Sequence, residues 1–180
     1  MTTDDAPQPT GLRIACAVVV AAVAGAVFAT CTDLPERVAS SFGPGSMPRG
    51  FQSRETYRVL MTSLAIVIPL VCYVAFAILP RRGGAWSSFP NPGRWLSAER
   101  RAVTLDWIER FGLVQAATTS LYVGALHALI LRANASVPPH LDLGLGAVLL
   151  GAWLAFILTR VILYGRRFRS LAGVVQRVEP

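Results

Sequence analysis

The sequence predicts an all-α integral membrane protein: four transmembrane helices in a bundle, with a shaped outer loop and a cytoplasmic interfacial helix leading into the third span. Three observations carry that prediction. The chain contains four mostly apolar runs of about 20 residues, the length a helix needs to cross the hydrocarbon core. Only 15% of its 180 residues are charged, against roughly a quarter in soluble domains. The arginines gather between the apolar runs, where orienting charges belong. A mean hydropathy of +0.50 agrees. In lipid every backbone N–H and C=O must find its partner within the segment, so the four runs are read as helices of one membrane domain spanning residues 1–180.

The first span covers about residues 12–31. A signal peptide ending near Ala29 is the competing reading, and the acidic Asp4 and Asp5 ahead of the apolar run argue against it. Residues 32–58 form the outer loop, where Pro35, Pro44, Pro48, Gly43, Gly45 and Gly50 are interleaved with Arg37, Arg49 and Arg54. That composition suits a folded cap. Ser53 is a natural N-cap, with Glu55 in the first turn, for the second span at about residues 59–80. Pro69 within it deletes one backbone bond and predicts a kink.

The cytoplasmic loop, residues 81–110, begins with a Gly/Pro-punctuated stretch and then restarts a helix, with Ser97 as N-cap and Glu99 in its first turn. Val103, Trp107 and Phe111 recur at four-residue spacing, so this helix is expected on the membrane surface as the lead-in to the third span, residues 111–131. Trp86, Trp95 and Trp107 read as headgroup-level anchors. The fourth span covers about residues 143–164, where Gly144 and Gly151 share a face and predict tight helix packing. The tail, residues 165–180, opens with Arg166, Arg167 and Arg169, a cluster suited to anionic lipid.

All seventeen basic residues are arginine, the bias of a GC-rich bacterial genome. Twelve fall on one side of the alternating spans. Five (Arg37, Arg49, Arg54, Arg58 and Arg132) fall on the other. The positive-inside rule then places both termini in the cytoplasm of a bacterial plasma membrane. A net charge of +7 distributed this way serves topology, and no nucleic-acid partner is expected. Cys16 and Cys72 read as small core hydrophobes, while Cys31, near a span end, is read as a free thiol or an intermolecular link.

Ionisable residues inside spans are functional candidates. Ser120, Gly124 and His127 share one face of the third span, and Gln115, Thr119 and Tyr122 form a second polar line beside it. Such mixed small and polar faces read first as interhelical contacts, with a ligand or proton role for His127 as the alternative. Arg160 sits near a span end and can snorkel. No paired carboxylates, nucleophile with a base, or metal-ligand spacing is present in the sequence. An enzyme, a cofactor and a metal centre are therefore not expected.

The stretch LPERVASSFGPGSMPRGFQSRETY, together with FPNPGRWLSAERRAVTL and LRANASVPPHL, resembles a bacterial membrane family termed domain of unknown function 1648. The same domain begins SdpI-type proteins, which confer immunity to a secreted peptide toxin. The resemblance implies a small four-span member. The family's usual His stands at Ser41 here, a Gly at Ser46, an Asp or Asn at Arg49, and a Trp at Phe51.

The expectation is a non-enzymatic protein acting by contact. It would be an accessory or structural subunit of a larger membrane complex, an energy-transducing one among the options, or a homo-oligomer. The alternative is an immunity or sensor protein that recognises a secreted peptide. The expected surface comprises Arg37, Phe42, Arg49, Phe51, Arg54, His127 and Arg132.

Overall fold

Each apolar run is a helix in the computed structural model, which describes residues 10–82 and 95–169. Helix α1 is Thr10–Thr30, α2 is Arg54–Tyr73, α3 is Arg101–Asn134 and α4 is Leu143–Arg169. Among the described residues these are four helices long and apolar enough to cross a membrane. Ser53 caps α2 as its sequence position predicts, its hydroxyl accepting from the Thr56 N–H at 3.1 Å, with Glu55 in the first turn.

Pro69 has the consequence its chemistry demands. It has no N–H to give the carbonyl of Ala65, four residues back. That carbonyl lies in a fully buried residue and instead accepts the Ser120 hydroxyl of α3 at 3.3 Å. A serine on a neighbouring helix thus satisfies the group that proline orphaned. Just beyond, α2 widens into a π-turn at Val74–Ile78 before continuing through Leu79–Arg81. Phe76 in that turn packs on Gly112 so closely that a Cβ there would overlap the phenylalanine.

The interfacial helix and the third span prove to be one element. At 34 residues, α3 is about 50 Å long, well beyond the 30 Å hydrocarbon core. Its regular turns begin at Arg101, later than a Ser97 cap requires. The Ser97 carbonyl accepts the N–H groups of Arg100 and Arg101, both at 3.0 Å, and closes a turn ahead of the helix.

Helices α1, α2 and α3 pack against one another around a cluster of Ala24, Ala65 and Val123, and α4 lies against α3. A larger share of the apolar stretch is buried in α3 than in the other three helices, and none of it in α4, so α3 is the hub and α4 is peripheral. Among the described residues the contact expected of Gly144 and Gly151 is not made: a Cβ at Gly151 would meet nothing within 4 Å, and it is Gly146 that approaches Leu129. Cys31 is 0% exposed in a cluster with Val27, Leu34, Val38 and Tyr57, which removes the intermolecular link read for it.

The all-α expectation needs one amendment. Strands β1 (Arg37–Phe42) and β2 (Pro48–Ser53) form an antiparallel hairpin in register Arg37↔Ser53, Val38↔Gln52, Ala39↔Phe51, Ser41↔Gly50 and Phe42↔Pro48. The register shifts on either side of Ser41, so Ser40 is bulged out of the pairing. An isolated two-stranded hairpin is marginal. Its prolines and glycines also depress strand propensity, so the composition hides it. Proline is tolerated because Pro48 opens its strand.

Candidate functional site

The hairpin closes one end of the bundle and presents two faces. Arg37, Arg49 and Phe51 are exposed on the outward face, with Met47 exposed at the tip, while the exposed Ser41 lays its hydroxyl over Gly50, its partner across the hairpin. The Arg37 guanidinium lies over the Phe51 ring, 5.8 Å from its centroid. The alternate residues Val38, Ser40, Phe42, Gly50 and Gln52 are turned inward, buried or half-buried. Phe42, expected on the contact surface, therefore belongs to the opposite face. Arg49 lays its aliphatic stem over Gly43, where any Cβ would collide with it.

Long-range hydrogen bonds pin the hairpin to the helices. Asn134, at the end of α3, accepts the Ala39 N–H at 2.8 Å and donates to the Ala39 carbonyl at 3.0 Å. One side chain thereby satisfies both backbone groups of Ala39. Arg54 donates to the carbonyls of Thr32 and Leu34 at 3.3 and 3.0 Å, holding the turn after α1, so it is a structural clamp. The Leu141 N–H of the second connecting loop donates to the Ser46 carbonyl at 3.2 Å. Ser46 itself has φ +67, a left-handed conformation that favours glycine. Arg132 is exposed on the last turn of α3.

Beneath the hairpin, His127 joins three helices. Its Nε2 lies 2.8 Å from the Thr30 hydroxyl of α1, and its Nδ1 lies 3.0 Å from the Tyr57 hydroxyl of α2. Thr30 already donates its proton to the Ala26 carbonyl at 2.7 Å. It can only accept from histidine, so Nε2 carries the proton and Nδ1 accepts from Tyr57. His127 is 3% exposed and Tyr57 2%, and every polar atom of this relay is paired. Sequence spacing identified His127 and its small-residue face, but Tyr57 and Thr30, on other helices, gave no such signal.

Between α2 and α3, directly under the hairpin, lies a chamber of about 460 Å³. Its roof is Ser40, Phe42 and Gln52; its walls are Tyr57, Leu60 and Met61 of α2 and Leu126, Leu129 and Ile130 of α3; Leu141 closes one side. Among the described residues, no charged side chain lines it.

The opposite end holds a feature sequence reasoning missed. Glu109 of α3 is 0% exposed, with one carboxylate oxygen paired to Arg13 of α1 and the other to Arg81 at the end of α2. Glu109 and His127 are 18 residues apart (127 − 109), about 27 Å along α3. That separation is close to the roughly 30 Å thickness of a hydrocarbon layer. The signal was legible in principle: a carboxylate bordering a span, with arginines bordering two others.

Beside the triad, Trp95 is 7% exposed and packs edge-on against Phe168, so its ring is enclosed by protein instead of being offered to headgroups. Trp107 is half-buried against Phe111 and Phe168. Arg160 does not snorkel away: it donates to the Phe111 carbonyl and its guanidinium lies 3.6 Å from the centre of that ring. Arg166 and Arg167 are exposed. Trp86, the Arg169 side chain and residues 170–180 lie outside the described residues.

Among the described residues, no group of three or more His, Cys, Asp or Glu side chains is placed to hold a metal. No family model, curated protein or solved structure matches this chain. The described residues thus define a bundle of four helices long and apolar enough to span a membrane, with a hairpin-capped end and a charged end.

Proposed function

We propose that this is a multi-pass protein of a bacterial plasma membrane, both termini cytoplasmic, that acts without enzymatic chemistry as an accessory subunit through protein–protein contact. Twelve arginines against five support the orientation, with the hairpin outside the cell. The observation that carries the contact reading is the outward hairpin face, where Arg37, Met47, Arg49 and Phe51 stand exposed on a scaffold pinned at Asn134, Arg54 and Leu141. Arginine, aromatic residues and methionine are the side chains enriched in interfaces. A face that is already rigid loses little ordering entropy on binding.

The resemblance to the family termed domain of unknown function 1648 is kept as part of this proposal. It is supported at Ser46, where the family's glycine stands and where φ is +67. A second reading follows from the same comparison. The departures at Arg49 and Phe51 fall on the outward face. A changed face on a retained frame fits an immunity or sensor protein retuned to a different secreted peptide.

The test is isolation of the tagged full chain from its native membranes in mild detergent, followed by native electrophoresis. Co-migration with another membrane protein, lost in an Arg37→Glu/Phe51→Ala variant, is the expected result. A bare monomer removes the reading. For the second reading, deletion of the gene should sensitise cells to a peptide toxin, and unchanged sensitivity across a toxin panel sinks it.

A further inference from the structure

The polar side chains of the relay beneath the hairpin, and the asparagine that anchors it, are paired. His127, Tyr57, Thr30 and Asn134 all have partners on another element. Ser40 and Gln52, both half-buried, are not paired. Their side chains form no hydrogen bond to any described residue, although both turn inward and roof the chamber between α2 and α3. Ser40 reaches that position through the bulge in β1. Gln52 reaches it through the alternation of β2, opposite Val38.

Below them the walls are entirely apolar apart from Tyr57, and Leu60 at the side is 46% exposed. In a membrane that side faces lipid. The chamber is thus a cleft at the hydrocarbon edge: two unpaired donor–acceptor groups at the top, aliphatic walls beneath, and about 460 Å³ in all. That volume lies within the range of small-molecule sites, which combine apolar lining with a few placed polar groups.

We propose that this chamber binds a membrane-borne amphiphile with an uncharged hydrogen-bonding head. A carbonyl or hydroxyl head would be held by Ser40 and Gln52, and the apolar tail would lie along Leu60, Met61, Leu126 and Leu129. The head is uncharged because no cation or carboxylate lines the roof to neutralise it, and an unpaired charge at the hydrocarbon edge is costly. A serine hydroxyl and a glutamine amide each donate and accept, which matches a hydroxyl or carbonyl equally well. Two sources share this chemistry: a neutral glycerolipid, such as a diacylglycerol, and an isoprenoid quinone. The proposal is independent of any contact made by the outward face.

The full chain is reconstituted in nanodiscs containing a dioctanoylglycerol that bears a diazirine in one acyl chain. After illumination the adducts are mapped by mass spectrometry. The expected result is labelling concentrated on Leu60, Met61, Leu126 and Leu129, relative to Leu154 and Leu158 of α4. Excess unlabelled dioctanoylglycerol or decyl-quinone should compete, the better competitor naming the source, and the anionic dioctanoylphosphatidate should not.

Gln52→Leu should lower the chamber adducts about fivefold, the size of one neutral hydrogen bond, whereas Phe51→Ala, on the outward face, should leave them unchanged. Leu126→Trp fills the chamber without touching the roof and should abolish the adducts with the unfolding midpoint retained, so a folding defect in one variant does not mask the result. Labelling spread evenly over lipid-facing residues overturns the proposal. So does labelling that neither neutral competitor reduces, or that phosphatidate reduces equally.

Discussion

If Ser120 is present to satisfy the carbonyl that Pro69 orphaned, the two residues must be energetically coupled. Replacing Ser120 with alanine leaves the Ala65 carbonyl buried and unpaired, since both residues are 0% exposed. An unpaired buried acceptor costs about 1–3 kcal/mol, whereas interhelical hydrogen bonds in membranes average about 0.6 and reach about 1.7 kcal/mol. At 3.3 Å the bond is on the long side, so a cost of about 1 kcal/mol is the working figure. Pro69→Ala restores the N–H that α2 lacks and lets the helix satisfy Ala65 itself. In that background Ser120→Ala should be close to neutral. The coupling is then about 1 kcal/mol, roughly a fivefold change in the unfolding constant.

The assay is reversible unfolding of the four proteins (parent, two single variants and the double variant) in mixed micelles titrated with sodium dodecyl sulfate, followed by far-ultraviolet circular dichroism. Equal costs for Ser120→Ala in both backgrounds, within about 0.3 kcal/mol, would refute the reasoning. The Ser120–Ala65 bond would then be incidental to the proline.

Glu109→Gln should destabilise the bundle by about 2 kcal/mol. This is below the 3–5 kcal/mol of a fully enclosed ion pair, because Arg13 and Arg81 are 36% and 46% exposed and partly solvated. In the same titration, Arg13→Gln and Arg81→Gln should be non-additive, since either arginine alone still serves the carboxylate. Gly112→Ala should cost about 2 kcal/mol through overpacking against Phe76, and Phe76→Leu should recover part of it; an undiminished unfolding midpoint in Gly112→Ala would show that α2 and α3 can separate freely there. Ser46→Gly should raise stability by about 0.5–1 kcal/mol by relieving the left-handed backbone at φ +67, and thermal unfolding reads it directly. Nitrogen-15 shifts of the His127 ring should report a neutral, Nε2-protonated imidazole, and a proton on Nδ1 would break the direction derived for the Tyr57–His127–Thr30 relay.

Particular residues show where sequence reading stopped. Pro69, Ser53 and the face shared by Ser120, Gly124 and His127 were legible because each depends on local periodicity or on a missing N–H. Glu109 was passed over because it lies just outside the third apolar run, and its two arginines come from residues 96 and 28 positions away. The hairpin was read only as a shaped loop, because proline and glycine content argues against strands unless something outside the segment holds them. That outside support is Asn134, 95 positions from Ala39. The surface set split for a similar reason. Strand alternation sends Phe51 outward and Phe42 inward, while Arg54 is committed to the carbonyls of Thr32 and Leu34.

By itself, then, the sequence determined the number of helices long and apolar enough to cross a membrane and the place where proline removes a backbone bond from one of them. Those follow from the thickness of the hydrocarbon layer and from the need of every peptide group for a partner, which each segment meets largely alone. Only the tertiary structure decided that α3 is the hub, which side chains close the relay and the ion triad, and that Ser40 and Gln52 face a chamber without partners. Such pairings are set by how helices distant in sequence come to pack, and periodicity within one helix carries no information about its neighbours.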